Sequence, residues 1–335
     1  MYTSIVVPLD GLPFANRALP MALALACRTG AAICLVHVQE PLMLSAGTPR
    51  YDAPLYHDLL QETRSQLTAI AAQLTQETSL VVDAEFLDGP VVETLEQHLA
   101  GGRHDLVVMM THGRSGLSRA WEGSVADGLA MLASVPLLLM REETAPMEPA
   151  EPLFRRVLVP LDGSALAEEV LDHLVSLSTP DVTVYVLLSI MVPSRPLEYP
   201  DSVSLSDPVD EGSQRDGVQA YLTGVARELR DSGALVEVCV EMHEHAAHGI
   251  LAAAAQQHVD LIALSTHGRG ALSRLVHGSV TDAVVRGATV PTFVFRPVRG
   301  GAASTERERA SVTAPLGAQT EVSDPADGRS PRAAA

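Results

Sequence analysis

The sequence predicts an α/β chain with two doubly wound parallel five-stranded sheets, each in the order 3-2-1-4-5. Three observations predict it. Apolar strand-like runs alternate with helical segments, the pattern of right-handed crossovers and parallel strands. The pattern is duplicated: Ile5-Val6-Val7-Pro8-Leu9-Asp10-Gly11 returns as Val157-Leu158-Val159-Pro160-Leu161-Asp162-Gly163. A glycine-marked loop is duplicated as well. Thr111-His112-Gly113-Arg114-Ser115-Gly116-Leu117-Ser118-Arg119 returns 155 residues later as Thr266-His267-Gly268-Arg269-Gly270-Ala271-Leu272-Ser273-Arg274. In both copies nine residues separate the first loop glycine, Gly113 or Gly268, from a final pair, Gly123-Ser124 and Gly278-Ser279. Spacing kept while the intervening residues drift is a geometric constraint. The repeat is of domain size, which argues against a short-repeat solenoid.

The elements follow in order. Residues 3–9 are a β-branched apolar run, a strand buried on both faces. Residues 13–29 predict a helix with Pro13 in its first turn and a kink at Pro20. A second strand spans 32–38, and the proline-rich stretch 40–54 is a loop. A helix follows over 55–77, then a strand over 80–87 and a helix from Pro90 to about Ala100. The fourth strand, 105–110, leads into the glycine loop. A helix from Ser124 to about Ala133 and a strand over 136–140 close the first half. The second half repeats this with strands near 156–161, 182–190, 235–241, 260–265 and 291–296. Its helices fall near 164–178, 214–231, 246–258 and 279–288, and Pro193 to Asp210 is a loop. The domains are thus 1–141 and 154–296. Residues 142–153, rich in Pro and Glu, read as a solvated linker, and 297–335 as a tail too poor in apolar residues to offset its ordering entropy.

Composition bounds the chemistry. With 335 residues, 47% hydrophobic and only 4% aromatic, the cores must be built from Val, Leu, Ile and Ala. A net charge of −18 argues against a nucleic-acid backbone or an anionic membrane as partner. The chain has no lysine; all 23 basic residues are arginine. That excludes a Walker-type phosphate lysine, a pyridoxal Schiff base and a kinase-type lysine. Cys27, Cys34 and Cys239 show no metal-like spacing and read as buried free thiols in a reducing compartment. A leader peptide and a membrane-spanning run are not expected, so the expected location is the cytoplasm.

The repeated motifs fall at carboxyl ends of strands. Asp10 and Asp162 follow the first strand of each half, and the glycine loops follow the fourth. In the order 3-2-1-4-5 those strands are neighbours at the topological switch point, where ligands bind. Gly113, Gly116, Gly268 and Gly270 allow close backbone approach. Gly123-Ser124 and Gly278-Ser279 open helices whose free amides form an anion site, with Val125 and Val280 next in line. The aspartates repel phosphate but can accept from ribose hydroxyls or an adenine amino group. Together these elements describe a nucleotide across the crevice, its base near the aspartate and its phosphates near the loop.

On these residues the chain resembles the universal stress protein family in its tandem two-domain form, over residues 1–141 and 154–296. The resemblance implies an adenine nucleotide alpha-hydrolase-like, Rossmann-like fold. It implies an ATP site marked by glycine, two residues, glycine, nine residues, glycine and Ser or Thr, with Mg²⁺ as a possible companion. By that resemblance the site residues are Pro8, Asp10, Val38, Met110, His112, Gly113, Arg114, Gly116, Gly123, Ser124 and Val125. In the second half they are Pro160, Asp162, Ile190, Ser265, His267, Gly268, Arg269, Gly270, Gly278, Ser279 and Val280. The first signature glycine is replaced by Met110 and Ser265. Ser265 is small, whereas Met110 sets a long side chain where backbone should approach the ligand, so the second copy is expected to be the better site. The resemblance also implies that Val135–Met140 and Val290–Phe295 pair two such domains, making one chain a pseudo-dimer that associates as a homodimer.

Other groupings rank lower. His243, His245 and His248 cluster without a counterpart in the first half and read as solvated histidines rather than metal ligands. His112 and His267 lack a nucleophile with an orienting acid, so no catalytic residue is assigned. The expected function is nucleotide-dependent conformational signalling under stress. A nucleotide-free interaction module and a slow ATPase are the alternatives.

Overall fold

The computed structural model describes residues 2–40, 53–111, 124–145, 151–193, 211–266 and 279–297. Both glycine loops from His112 to Gly123 and from His267 to Gly278, most of the 40–54 and 193–210 loops and nearly all of the tail lie outside the described residues. The first half runs β1 (Ser4–Pro8), α1 (Leu19–Thr29), β2 (Ala32–Gln39), α2 (Ala53–Thr78), β3 (Val82–Asp88), α3 (Val91–Ala100), β4 (Leu106–Met110), α4 (Ser124–Leu132) and β5 (Leu137–Met140). The second half runs β6 (Arg156–Pro160), α5 (Ala165–Glu168), α6 (Val170–Leu174), β7 (Val184–Met191), α7 (Glu211–Asp231), β8 (Leu235–Met242), α8 (Ala246–Gln256), β9 (Leu261–Ser265), α9 (Ser279–Gly287) and β10 (Thr292–Phe295).

Two helices differ from expectation. Residues 13–29 are not one kinked helix: a 3₁₀ turn over Ala15–Ala18 precedes α1, and Pro20 sits in the first turn of α1. There its missing N–H removes no internal bond, so it starts the helix instead of bending it. Gly30 ends α1 at φ 74°, its amide bonded to the Ala26 carbonyl. The expected helix over 164–178 divides at Glu169 into α5 and α6. Ser164 caps α5 by accepting from the Ala167 amide. After α6 the Ser178 hydroxyl donates to the Leu174 carbonyl, a local bond that competes with helix continuation.

The strands form one ten-stranded sheet in the order β3-β2-β1-β4-β5-β10-β9-β6-β7-β8. Each half is 3-2-1-4-5, but the two are not separate sheets. β5 and β10 pair antiparallel, with Leu138 opposite Phe293, and every other pairing is parallel. Short apolar edges that would otherwise invite foreign strands are thereby consumed within the chain. Two arginines bracket the seam reciprocally. Arg141, just past β5, donates to the Arg286 carbonyl at the end of α9 (2.7 Å). Arg296, just past β10, donates to the Leu132 carbonyl at the end of α4 (3.0 Å). Each places a cation on the carbonyl end of the opposite half's helix. One face of the sheet carries a core cluster that runs without a break from Tyr2 and Ile5 to Phe293 and Leu261. The other face carries two clusters, one centred on each half, the first of which takes in Val294 of β10.

A carboxylate clamp fixes the start of β1 and of β6. Asp105 accepts from the amides of Thr3 and Ser4 and from the Thr3 hydroxyl. Asp260 accepts from the amides of Arg155 and Arg156. We expect Asp105→Ala and Asp260→Ala each to lower unfolding free energy by about 2 kcal/mol, the scale of hydrogen bonds to a charged group. Urea denaturation would measure it, and unchanged midpoints would refute the clamp.

His173 packs on Phe295 at a ring separation of 4.1 Å, and its carbonyl accepts from the Tyr2 hydroxyl of the other half. Burial holds its imidazole below the ordinary 6.5. As pH falls, the unfolded chain therefore takes up this proton first. The contribution is full above about pH 6.5 and is lost as the pH drops below that value. Thermal midpoints should fall as the buffer goes from neutral to mildly acidic, and fall less steeply in His173→Gln. An identical slope in that variant would remove His173 as a cause.

All three cysteines are free thiols, but only Cys34 is buried; Cys27 is exposed and Cys239 half-buried. Cys27 lies in α1, where helical periodicity turns it away from the core. Leu153, expected in a solvated linker, is buried beside Phe154 in the main cluster. Among the described residues no helix is long and apolar enough to cross a membrane.

Candidate functional site

β1 pairs with β4, and β6 with β9, so each half has its switch point where the motifs predict it. Pro8 and Pro160 end their strands, half-buried, and the chain then turns through a glycine at positive φ: Gly11 at 82° and Gly163 at 84°. The turn is locked by the aspartates. Asp10 accepts from the Leu12 amide (2.8 Å). Asp162 accepts from the Ser164 amide (3.0 Å) and hydroxyl (2.7 Å). Leu9 and Leu161 tie these turns to the second strand through the carbonyls of Val36 and Leu188 (2.8 and 2.7 Å).

On the other side of each crevice, Met110 and Ser265 end β4 and β9. The next residues, Thr111 and Thr266, bond by their amides to the Met140 and Phe295 carbonyls. Val38 and Ile190 lie near the ends of β2 and β7 and pack against the clusters on the α3 and α8 face. Helices α4 and α9 begin at Ser124 and Ser279, the predicted positions. Val125, in the first turn of α4, packs against the cluster on that face, whereas Val280 is exposed. His112, Gly113, Arg114, Gly116, Gly123, His267, Gly268, Arg269, Gly270 and Gly278 lie outside the described residues.

Met110 does not stand in the crevice as expected from its length. Its side chain is buried in the main core cluster. Ser265 is buried too, and its hydroxyl donates to the Leu166 carbonyl of α5 (2.8 Å). A side chain at the end of a fully buried strand has a core face available to it, and the apolar Met110 takes that face.

The halves differ instead at residues that no motif marks. In the second half a cavity of ≈ 260 Å³ is lined by Asp162, Gly163, Ser189, Gly217, Val218 and Tyr221. Tyr221 donates its hydroxyl to Glu168 (2.8 Å). Burial and the Glu168 carboxylate raise its phenol well above the ordinary range. In the first half the position matching Ser189 is His37, by the shared register Pro8–Val36 and Pro160–Leu188. His37 is buried, its Nδ1 2.8 Å from the Leu9 carbonyl, and its ring lies 4.8 Å from Phe86. The first half thus carries a buried imidazole at the position where the second half has the serine that lines the cavity. Tyr221 and Gly217 reach the site from α7, far along the chain, so local spacing gave no sign of them.

His243, His245 and His248 do come together at the start of α8, with rings 5.5 and 6.1 Å apart around His248. The His243 Nδ1 accepts from the His245 amide, which serves the turn into the helix. Among the described residues, three or more metal-capable atoms converge elsewhere, at Cys34, Glu85, His98 and His104.

Comparison with known proteins agrees with the duplication. The sequence profile of the universal stress protein family matches residues 1–141 and again 153–296. A universal stress protein of Thermus aquaticus is 32% identical over 141 residues, 42% of this chain and all of that protein. One of Mycobacterium tuberculosis is 26% identical over 314 residues, covering 87% of this chain and 94% of the relative. In fold, a universal stress protein from Archaeoglobus fulgidus superposes with a TM-score of 0.61 at 20% identity, over 89% of this chain and 98% of that one. Two profile matches, each over one half of a ten-stranded sheet, show that the chain belongs to the universal stress protein family.

Proposed function

We propose that this chain binds an adenine nucleotide, ATP with or without Mg²⁺, at the switch-point crevice of its second half, and signals by the conformation that binding selects. The cavity beside Asp162 carries the proposal. It offers a carboxylate and the Ser189 hydroxyl for ribose or base contacts, and the Tyr221 ring for apolar contact. Its volume falls just below the range of whole small-molecule sites, which suits one end of a nucleotide, the base and sugar, with the rest extending toward α9. The amides that open α9 suit the phosphates.

The first half favours a different reading. With His37 buried beside Phe86 at the matching position, we propose that the first half serves as the nucleotide-free partner of the pseudo-dimer. We further propose binding without turnover, in the cytoplasm, with homodimers forming from whole chains. The absence of lysine supports the first of these.

The decisive experiment is mass spectrometry of small molecules released by denaturing freshly purified protein, with equilibrium dialysis against labelled ATP and Mg²⁺. About one adenine nucleotide per chain is expected. No binding at millimolar nucleotide would overturn the proposal, and two per chain would overturn the assignment to one half.

A further inference from the structure

At the opposite end of the first half-sheet, near the strand starts, four side chains of metal-binding type converge on the α3 face. Cys34 comes from β2, Glu85 from β3, His98 from α3 and His104 from the turn before β4. One potential ligand atom from each lies within 4.8 Å of all the others. Cys34 and His104 are more than nine-tenths buried, and so is the His98 side chain. Both histidines have an Nε2 buried with no hydrogen-bond partner. Buried unpartnered polar atoms are costly, and two on adjacent rings 4.6 Å apart call for a reason.

The fold does not supply that reason. The second half builds the same layer with one thiol and with neither imidazole nor carboxylate at the matching positions. Sheet register puts Val186 opposite Leu158 where Cys34 stands opposite Val6, and Cys239 where Glu85 stands. Counting back from the equivalent Asp105 and Asp260, Ala253 replaces His98 and Val259 replaces His104. Val186, Ala253 and Val259 pack in an ordinary apolar cluster there. The polar set is therefore an addition made in one half only.

We propose that Cys34, Glu85, His98 and His104 form a binding site for a divalent zinc-type cation. One thiolate, one carboxylate and two imidazoles are a tetrahedral donor set that zinc favours. With the cation the set is electrically neutral. The outer contacts suit ligation. The Nδ1 of His104 lies 2.8 Å from the Ser4 hydroxyl; with its proton there, Nε2 carries the lone pair. Glu85 is held between Arg103 (3.7 Å) and the His98 Nδ1 (3.6 Å). Burial and the carboxylates of Glu85 and Asp83 push the Cys34 thiol up to about 12, so the metal-free site keeps its proton. On binding, the Cys34 S–H bond breaks, the sulfur pair goes to the metal and the proton goes to solvent. Ligand atoms in a tetrahedral zinc site stand roughly 3.3–3.7 Å apart, so a closure of about 1 Å by side-chain rotation completes it. Glu85, partly exposed, marks the entry.

Cobalt(II) is the probe, titrated into chelator-treated full-length chain carrying Cys27→Ser and Cys239→Ser to remove the other thiols. The expected result is intense tetrahedral visible bands with a thiolate-to-cobalt charge-transfer band, saturating at one equivalent and bleached by zinc. Cys34→Ser should abolish the charge-transfer band. His98→Gln and His104→Gln should weaken binding at least about tenfold while circular dichroism reports an unchanged fold. A weak octahedral spectrum, or a charge-transfer band that survives Cys34→Ser, would overturn the proposal. So would binding of copper(I) with no affinity for zinc or cobalt.

Discussion

Gly278→Asp should weaken ATP binding at least tenfold, about 1.4 kcal/mol, with no loss of thermal stability. Gly278 immediately precedes α9, which begins at Ser279. The first amides of a helix have no internal partner and carry the positive end of its dipole. An aspartate there accepts those amides itself and sets a negative charge where phosphate would lie. As aspartate is a good helix cap, the fold should tolerate it, which separates lost binding from unfolding. Isothermal titration with ATP and Mg²⁺ measures the change. The matching Gly123→Asp should have little effect if the first half is the nucleotide-free partner. Equal affinity in Gly278→Asp and the parent would remove the phosphates from α9, and an equal loss in both variants would make the halves equivalent.

Phe293→Ala should lower stability by about 3–5 kcal/mol, the range for deleting a fully buried aromatic side chain. Phe293 is fully buried in β10, opposite Leu138 of β5, and belongs to the core cluster shared by both halves. A cavity there weakens the seam as well as the second domain. The two halves should therefore unfold in one transition that shifts as a whole. Urea denaturation followed by far-ultraviolet circular dichroism would show it. Two transitions, with only one displaced, would mean that the halves are stable apart and that the seam adds little.

Much of the fold was legible in the sequence because it rests on local signals. Val6 and Val7 ending at Pro8, or Leu106 to Met110, are apolar runs of strand length, and repetition of the series confirmed each one. The errors sit where a local signal has two outcomes. Pro20 either kinks a helix or starts one, and only the packing of Ala15 and Ala18 ahead of it decides. Met110 is a long side chain in either setting, and whether it fills the crevice or the core depends on which face its strand offers. The cysteines look alike in sequence, yet only Cys34 falls on a strand buried from both sides.

The sequence by itself determined the duplication, the 3-2-1-4-5 order in each half, the turns at Asp10 and Asp162 and the absence of lysine chemistry. The duplication, the turns and the composition are read from near neighbours in the chain, and the strand order follows from the fold that the duplicated motifs imply. The pairing of the two final strands within one chain, expected from the resemblance, is what the structure shows, and tertiary structure alone decided its register, with Leu138 opposite Phe293. It decided too that His37 packs beside Phe86 in the first half while Ser189 and Tyr221 line a cavity in the second, and that Cys34, Glu85, His98 and His104 meet. These are contacts between segments far apart in the chain, fixed by sheet register and helix docking, and no short-range spacing encodes them.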